Sequence, residues 1–206
     1  MQVDGLGEIT WWILSYGDHV RVLAPNDLCQ RIRRIAARVA GQYDGGPAEM
    51  RAVVQRVSEA GLEANGEFVG RIGRGLLVYV GIGTGDTPAD AAKLAEKVAG
   101  LRIFDDNAGK LNWTVQDVGG AVLAVPNFTL MADTRKGRRP SFAPAANGQP
   151  ARDLFEHFVA SLRQAGPPAV TSGVFGAHME IHSCADGPVN VLVDVPADGA
   201  PGRPPP

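Results

Sequence analysis

The sequence predicts an α/β fold in which a mixed sheet is flanked by helices. Short apolar or alternating runs typical of strands recur along the chain, and two longer segments between them carry apolar residues at helical spacing. Because these strands and helices are interspersed, a sheet layered against helices is the expected architecture. The 206 residues suffice for one core of ordinary size with an appendage.

The chain is predicted to divide near residue 50. A polar, glycine-bearing stretch (GQYDGGPAE, residues 41–49) precedes Met50, which opens a strongly patterned segment. We therefore expect an N-terminal extension at 1–49 and a catalytic-sized domain at 50–196. The last residues, 197–206, are rich in Pro and Gly and are expected to be a disordered tail.

The extension is predicted to form strands at 10–14 and 19–23 and a helix over 25–39. Its segment SYGDHVRVLAPNDLCQRIRRIAARVAGQY resembles the last strand and final helix of WYL-domain transcriptional regulators. The resemblance covers only a tail, so an intact ligand-sensing domain is not expected. Either the extension is genuine, or it is upstream sequence and Met50 is the true start. We favour the second reading because a truncated motif has little core of its own.

After residue 50, predicted strands alternate with two predicted helices. The helix at 87–99 begins with a Thr-Pro pair suited to a helix N-terminus, and the helix at 150–165 carries a buried apolar stripe. The predicted strands are 51–58, 68–72, 75–82, 121–125, 178–183 and 189–195. Together these elements predict one sheet packed against two helices.

Charge and cysteine content limit the classes of function. The formal net charge of -2 gives no global field for nucleic acid, so an RNA substrate needs a local basic patch, and the segment 135–139 (RKGRR) is the candidate. The two cysteines, Cys29 and Cys184, have neither the number nor the spacing of a disulfide framework or zinc site. Without a visible targeting or membrane-spanning segment, a cytoplasmic protein is expected.

Obvious catalytic side chains are scarce. The chain has no glycine-rich phosphate loop, HExxH, nucleophile elbow or paired-cysteine motif. His157 falls in a predicted helix, while His178 and His182 share one face of a predicted strand but have no third ligand. Cys184 is more typical of a small buried hydrophobe than of a nucleophile. We therefore expect neither a metal nor a cofactor.

Two turns could supply backbone chemistry instead. The segment 126–130 (PNFTL) follows a buried strand, and 186–188 (DGP) precedes another. Successive N–H groups in such a turn can stabilise the oxyanion formed when water attacks an ester. Thr129 is a weak nucleophile candidate because no adjacent base is evident. A Gly-Pro pair is also common in ordinary turns that have no catalytic role.

Five blocks in order resemble the D-aminoacyl-tRNA deacylase family over residues 50–195. No single block is decisive, but their order and spacing are specific. The blocks are MRAVVQRVSEA (50–60), LRIFDDNAGKLN (101–112), VQDVGG (115–120), PNFTLMADTRKGRRPSF (126–142) and GVFGAHMEIHSCADGPVNV (173–191). The resemblance implies the three-layer fold of that family and a homodimer acting on aminoacylated tRNA, with no cofactor, metal or membrane.

The resemblance also implies the chemistry and the residues of the site. The backbone amides of Phe128 and Thr129 would bind the oxyanion, beside Pro126 and Asn127. The Gly187-Pro188 pair would be cis and reach into a second subunit, where its carbonyls hold the substrate's α-amino group and an L side chain collides with backbone. D-aminoacyl and mischarged glycyl esters would be hydrolysed, with the 2′-hydroxyl of the terminal adenosine helping to activate water.

The roles of the remaining residues follow from the same resemblance. Arg56 and Met179 are expected at the substrate, with Phe142 or Phe175 packing around the adenosine. The cations expected to meet RNA phosphates are Arg135, Lys136, Arg138 and Arg139.

Four positions depart from the usual family pattern. Pro126 replaces serine, Asn127 replaces glutamine, Ala185 replaces asparagine and Asn190 replaces threonine. The proline is similar to related deacylases that prefer L-alanine mischarged on threonine tRNA, although Phe128, which that branch generally loses, is retained. An L-alanyl-tRNA deacylase of the same fold therefore stays as an alternative. A ligand-binding regulatory module, of which the WYL-like tail would be the informative part, is the other alternative.

Overall fold

A computed structural model describes residues 25–43, 50–135 and 137–195. The chain forms two compact units, Met1–Gly46 and Pro47–Pro206. Within the first, helix α1 spans Asn26–Tyr43, where a helix was predicted over 25–39. The strands predicted at 10–14 and 19–23 and the tail predicted at 197–206 lie outside the described residues. None of the helices in the described ranges is both long and apolar enough to cross a membrane.

The second unit has the predicted fold class, a mixed sheet with flanking helices. Its strands are β1 (Met50–Ala64), β2 (Glu67–Ile72), β3 (Gly75–Gly81), β4 (Phe104–Asp105), β5 (Leu111–Trp113), β6 (Ala121–Pro126), β7 (Val170–Ser172) and β8 (Met179–Val195). Helices α2 (Pro88–Ala99) and α3 (Gly148–Gln164) flank the sheet, and a short 3-10 turn at Phe128–Met131 follows β6. The sequence did not predict β4, β5 or β7.

Strand β1 is the centre of the sheet. The strand order is β2-β1-β3-β6-β7, and β8 also pairs with β1. The pairings of β1 with β2, β3 and β8 are antiparallel, whereas β3-β6 and β6-β7 are parallel. The prediction that β1 ends at Ser58 was wrong. Ser58 and Glu59 are exposed, but buried Ala60, Leu62 and Ala64 then resume the alternation of a strand.

Both helices pack on one face of the sheet. Helix α2 begins with a capping box, in which the side chain of Thr87 accepts from the backbone of Asp90 and the Asp90 carboxylate accepts from the backbone of Thr87. Its buried Leu94 joins Phe158 of α3 in one core with the helix-facing residues of the sheet. The sheet contributes residues such as Ala52, Val54, Val78, Val80, Val122, Ala124 and Val193.

A second core lies on the opposite face of β3 and β6. It consists of Val57, Ala60, Leu62, Ile72, Leu77, Leu123 and Val125, all of which come from strands. The sheet therefore folds over, so that the second half of β1 together with β2 covers β3 and β6. The result is three layers: helices, central strands and the folded-over strands.

The motif at 186–188 lies within a bulge of β8. The sequence predicted two strands separated by a turn, whereas β8 is one strand over Met179–Val195. Gln55 pairs with Asn190, and Val57 pairs with Ala185, so residues 186–189 of β8 lie opposite Arg56 alone. Such an insertion pushes the extra residues out of the ladder. The bulge is what presents Gly187 and Pro188.

Candidate active site

The turn after β6 is held by one asparagine side chain. The backbone N–H of Asn127 donates to Val80 O at 2.7 Å, which extends the β3-β6 ladder by one residue. Its side-chain Oδ1 then accepts from the backbone N–H of Thr129 at 3.1 Å and from the Thr129 hydroxyl at 2.5 Å. Asn127 is thus the N-cap of the 3-10 turn, a position that favours asparagine because its short side chain reaches the second amide beyond it. This capping role was not predicted from the sequence.

The two amides predicted to bind an oxyanion differ in availability. The Thr129 N–H is engaged by Asn127, whereas the Phe128 N–H has no hydrogen-bond acceptor among the described residues. The Phe128 side chain is 57% exposed, and its ring contacts that of Phe142 edge-on at a centroid distance of 5.1 Å. The turn therefore presents one open N–H donor beside an exposed aromatic pair.

Two glycines allow the turn after β6 to pack closely against its neighbours. A Cβ placed on Gly81 would lie 2.9 Å from the Cβ of Leu130, so the end of β3 has no room for a side chain there. A Cβ on Gly173 would lie 2.9 Å from the sulfur of Met179 and 3.2 Å from Cδ of Pro126. Met179, the first residue of β8, consequently lies beside the start of the turn. The predicted residues Pro126, Asn127, Phe128, Thr129 and Met179 come together in one chain.

The predicted Gly187-Pro188 pair lies apart from this group. The peptide bond between the two residues is cis, and both residues are exposed in the bulge of β8. Gly187 has φ +128°, which L side chains rarely adopt, and an added Cβ would lie 2.8 Å from the backbone nitrogen of Val189. The bulge therefore requires glycine at this position.

Arg56 holds the bulge against the body of the domain. Its Nε donates to the carbonyl oxygen of Asp186 at 3.1 Å, and its Nη1 donates to Ile103 O at 2.8 Å. The guanidinium also forms ion pairs with Asp105 and Asp186, both at 3.2 Å. Arg56 is 7% exposed, so its donors face these protein groups. The sequence placed Arg56 at the substrate but carried no signal for these distant partners.

The predicted RNA-binding cations are surface residues of the loop after the turn. Arg135 is bound to the Asp133 carboxylate through its Nε at 2.9 Å and its Nη2 at 2.7 Å. Asp133 raises the pKa of the Arg135 guanidinium through this hydrogen bond and its charge. Arg138 and Arg139 are exposed, while Lys136 lies outside the described residues. Arg138 and Arg139 therefore present their cations to solvent.

The remaining candidates for side-chain chemistry are dispersed. His157, His178 and His182 are exposed, and no group of three metal-ligating side chains occurs in the described parts of the chain. The interpretation of Cys184 as a buried hydrophobe was wrong, because its side chain is exposed on β8. A cavity of about 290 Å³ lies between β1, β2 and β8 beside Phe68 and His182. It contains none of the predicted site residues.

Comparison with known proteins defines the class. A family model described as D-Tyr-tRNA(Tyr) deacylase matches residues 53–194. A D-aminoacyl-tRNA deacylase of Geobacter sulfurreducens is 52% identical over 145 residues, which cover 70% of this chain and 95% of the relative. One of Desulfitobacterium hafniense is 53% identical over 145 residues, covering 70% and 97%. The class is that of hydrolases acting on ester bonds.

Solved structures share the fold. A structure titled c-Myc DNA Unwinding Element Binding Protein is 36% identical, with a TM-score of 0.67, and the match covers 71% of this chain and 99% of that one. A probable eukaryotic D-amino acid tRNA deacylase matches with a TM-score of 0.63 at 19% identity, covering 71% and 100%. The chain belongs to the D-Tyr-tRNA(Tyr) deacylase family. A WCX domain model also matches residues 1–40, consistent with the WYL-like tail.

Proposed function

We propose that this D-aminoacyl-tRNA deacylase removes D-amino acids and mischarged glycine from tRNA and rejects L-aminoacyl-tRNA with a Gly187-Pro188 motif supplied by a second copy of the chain. The catalytic domain is taken as residues 50–196. The proposed substrate is an aminoacylated tRNA 3′ end, and the proposed location of the protein is the cytoplasm.

One observation supports the cross-subunit arrangement: within a single chain, the turn after β6 and the Gly187-Pro188 motif are far apart. Pro126 pairs with Val80, and Val80 pairs with Ala52. The Gly187-Pro188 motif lies opposite Arg56, which is four residues further along β1 than Ala52. The motif is on β8, and β8 is three strand spacings away from β6. These offsets are about 13 Å along the strands and about 14 Å across them, hence a separation of roughly 20 Å.

An aminoacyl ester is too small to bridge that separation. The α-amino group and the ester carbonyl belong to adjacent carbons, so the groups that hold them must lie within a few hydrogen-bond lengths of each other. A site that uses both Phe128 and Gly187-Pro188 therefore needs the motif of one copy beside the turn of another. The exposure of Gly187 and Pro188 supports this, because a buried motif could not be donated.

The open amide of Phe128 is the proposed oxyanion donor. When water attacks the ester carbonyl, negative charge develops on its oxygen, and a fixed N–H aimed at that oxygen stabilises the transition state. Asn127 keeps this turn in place through Thr129, whose own amide is occupied. The Thr129 hydroxyl donates to the same asparagine oxygen and is not the nucleophile. Water is activated with help from the 2′-hydroxyl of the terminal adenosine.

Rejection of L-amino acids is proposed to rest on main-chain atoms. The carbonyl oxygens of Gly187 and Pro188 accept from the substrate's α-ammonium group and thereby fix the orientation of Cα. With Cα fixed, an L side chain meets backbone, whereas a D side chain or the hydrogen of glycine does not. The discrimination is a steric penalty against the wrong substrate and needs no contact with the side chain itself.

The tRNA is proposed to lie along the loop after the turn. Arg138 and Arg139 are the best phosphate contacts, because Arg135 is already paired with Asp133. The exposed edge-on pair of Phe128 and Phe142 offers a surface on which the terminal adenine can pack. Each lost phosphate contact should weaken tRNA binding and reduce its salt dependence.

The test compares matched D-tyrosyl-tRNA and L-tyrosyl-tRNA, with glycyl-tRNA and L-alanyl-tRNA as further substrates. We expect the wild-type chain to hydrolyse the D-tyrosyl and glycyl esters and to spare both L esters. Gly187→Ala and Pro188→Ala should lose selectivity, while Thr129→Ala should retain much of the rate because the open backbone amide of Phe128 persists. Preference for L-alanyl-tRNA, or wild-type selectivity in both motif variants, would contradict the proposal.

A further inference from the structure

The basic loop, residues 133–141, is fixed at both ends to the turn after β6. At its base the Asp133 N–H donates to Ser141 O at 2.7 Å, and the Ser141 N–H donates to Asp133 O at 2.9 Å. The residue that follows the loop, Phe142, contacts the exposed ring of Phe128 in the turn. The arginines of this loop are therefore held near the candidate active site.

The carboxylate of Asp133 makes three hydrogen bonds to Arg135. Its Oδ1 accepts from the backbone N–H of Arg135 and from the guanidinium Nε, both at 2.9 Å. Its Oδ2 accepts from Nη2 at 2.7 Å, which completes a two-pronged contact. The Arg135 side chain is nevertheless 67% exposed, so it lies at the surface that RNA would meet. The cation of Arg135 is thus accessible but directed at a neighbouring anion.

The shape of the loop does not require the negative charge of Asp133. The contact with the backbone N–H of Arg135 is a local turn that any side-chain oxygen at this position can form, and asparagine forms it as readily as aspartate. The charge instead acts on Arg135 and on any approaching phosphate. Because the pair is neutral overall, it releases no counterions when RNA binds and adds little to affinity.

Contacts with tRNA phosphates cannot distinguish correct esters from incorrect ones. D- and L-aminoacyl-tRNA carry the same phosphates, so each such contact stabilises both and leaves the ratio of their rates unchanged. The unacylated tRNA released by hydrolysis keeps these phosphates too, so a stronger loop would also hold the product. A deacylase that discriminates at the ester therefore benefits from a loop with low affinity for tRNA.

We propose that Asp133 is a positioning residue that holds Arg135 away from the tRNA phosphates and so keeps the affinity of the basic loop for every tRNA low. The inference rests on the proposed function, in which this loop receives the tRNA, and adds the residue that limits the binding. Arg138 and Arg139, which are exposed, contact phosphates, whereas the pair of Arg135 and Asp133 does not.

The first experiment measures binding of unacylated tyrosine tRNA to the full chain over a range of salt concentrations. Asp133→Asn keeps the oxygen that shapes the loop but frees the guanidinium. At about 0.1 M salt it should bind about threefold or more tightly, and the salt dependence of log K should steepen by about 0.7–0.9, the value for one added phosphate contact. Circular dichroism should match that of the wild type.

The matched control is Glu59→Gln, which removes the same charge from another exposed ion pair. Glu59 pairs with Arg71 across β1 and β2, away from the basic loop. This variant raises the net charge as much as Asp133→Asn does, yet it should change the affinity by less than about twofold and leave the salt dependence unaltered. Equal tightening by both variants would mean that net charge alone is responsible, and would overturn the inference.

The second experiment compares the kinetic constants for D-tyrosyl-tRNA. Asp133→Asn should lower KM without raising kcat, and the ratio of D- to L-tyrosyl-tRNA deacylation should stay unchanged, because the added contact is the same in the ground state and the transition state. A residue that only shapes the loop would not lower KM on this substitution.

The variants Arg138→Ala and Arg139→Ala separate this inference from the proposed function. If they weaken tRNA binding while Asp133→Asn leaves it unchanged or weaker, Asp133 does not restrain Arg135, but the tRNA path along the loop stands. If none of the three variants alters binding or its salt dependence, both the restraint and that tRNA path are wrong.

Discussion

The guanidinium Nε of Arg56 donates a hydrogen bond to the carbonyl oxygen of Asp186 at 3.1 Å. Asp186 directly precedes Gly187, and the other end of the same guanidinium donates to Ile103 O at 2.8 Å. One buried side chain thus fixes the bulge that presents the Gly187-Pro188 motif.

Replacing Arg56 with lysine should loosen the motif while keeping the charge. A lysine has a single ammonium group in place of the planar guanidinium, so it cannot donate to the carbonyl oxygens of both Asp186 and Ile103. We expect a loss of about 1–3 kcal/mol in the free energy of unfolding, and a fall of about tenfold in the ratio of D- to L-tyrosyl-tRNA deacylation. Urea unfolding and deacylation rates measure the two effects.

The matched control is Arg71→Lys, which alters the exposed ion pair between Arg71 and Glu59. Its effect on stability should lie within about 1 kcal/mol, and its selectivity should be unchanged. If Arg56→Lys lost stability but kept full selectivity, Arg56 would support the fold without positioning the motif.

Two substitutions of Asn127 should distinguish the capping role of its side chain from the effect of a negative charge at the turn. Asn127→Ala removes the acceptor for Thr129 and should cost about 1 kcal/mol of stability and lower kcat, because the Phe128 amide is no longer held. Asn127→Asp keeps a capping oxygen and should retain stability, yet its negative charge beside a developing oxyanion should lower kcat further. Thermal unfolding and single-turnover deacylation give the two readouts. Wild-type kcat in Asn127→Asp would rule out an oxyanion at this turn.

The loop between β4 and β5 should lose order in acid. Backbone N–H donors of Lys110 and Ala108 lower the pKa of the Asp106 carboxyl below the ordinary aspartate range. A lowered folded-state pKa stabilises the folded form above the ordinary pKa, and this contribution disappears as the pH falls through the lowered value.

The variant Asp106→Asn isolates this contribution. The difference in melting temperature between wild type and variant should be largest at neutral pH and should shrink as the pH drops below about 4. A difference that stayed constant over that range would show that the ionised carboxylate does not hold the loop.

A chain beginning at Met50 should deacylate D-tyrosyl-tRNA at the full-length rate. The family match spans residues 53–194, and the unit Pro47–Pro206 contains all the proposed site residues. Initial rates of the two forms at equal concentration provide the measurement. A large loss of rate on truncation would assign a functional part to the first 49 residues and favour a regulatory role for them.

The helices and strands with strong periodicity were predictable from sequence. Helix α2 carries its own start signal in Thr87 and Pro88, and β3 is a short apolar run between glycines. The short strand β7 was not predictable, because its three residues are only half-buried and carry no clear alternation. The length of β8 was missed because Gly187 and Pro188 look like a turn, although a bulge also accommodates them.

The candidate site was predictable only as two separate segments. Sequence spacing identified the turn after β6 and the Gly-Pro pair, but the distance between them depends on strand order and register. The partners of Arg56 at Ile103 and Asp186 are distant in sequence and follow no local pattern. The capping role of Asn127 does have a local signal, since asparagine before a helical turn is a favoured N-cap.

We propose that each active site combines the turn after β6 of one copy with the Gly187-Pro188 motif of another. Two variants separate these halves. Phe128→Pro removes the open amide at a position where proline suits the first residue of a helical turn. Deletion of Gly187 and Pro188 shortens the bulge and removes the carbonyls. Each variant alone should be inactive on D-tyrosyl-tRNA.

The decisive measurement is the activity of the two inactive variants after subunit exchange. Random mixing makes half of the dimers heterodimers, each with one intact and one doubly defective site, so about a quarter of wild-type deacylation should return. If the mixture stayed as inactive as its components while heterodimers were present, the turn and the motif would not share a site, and the account would be wrong.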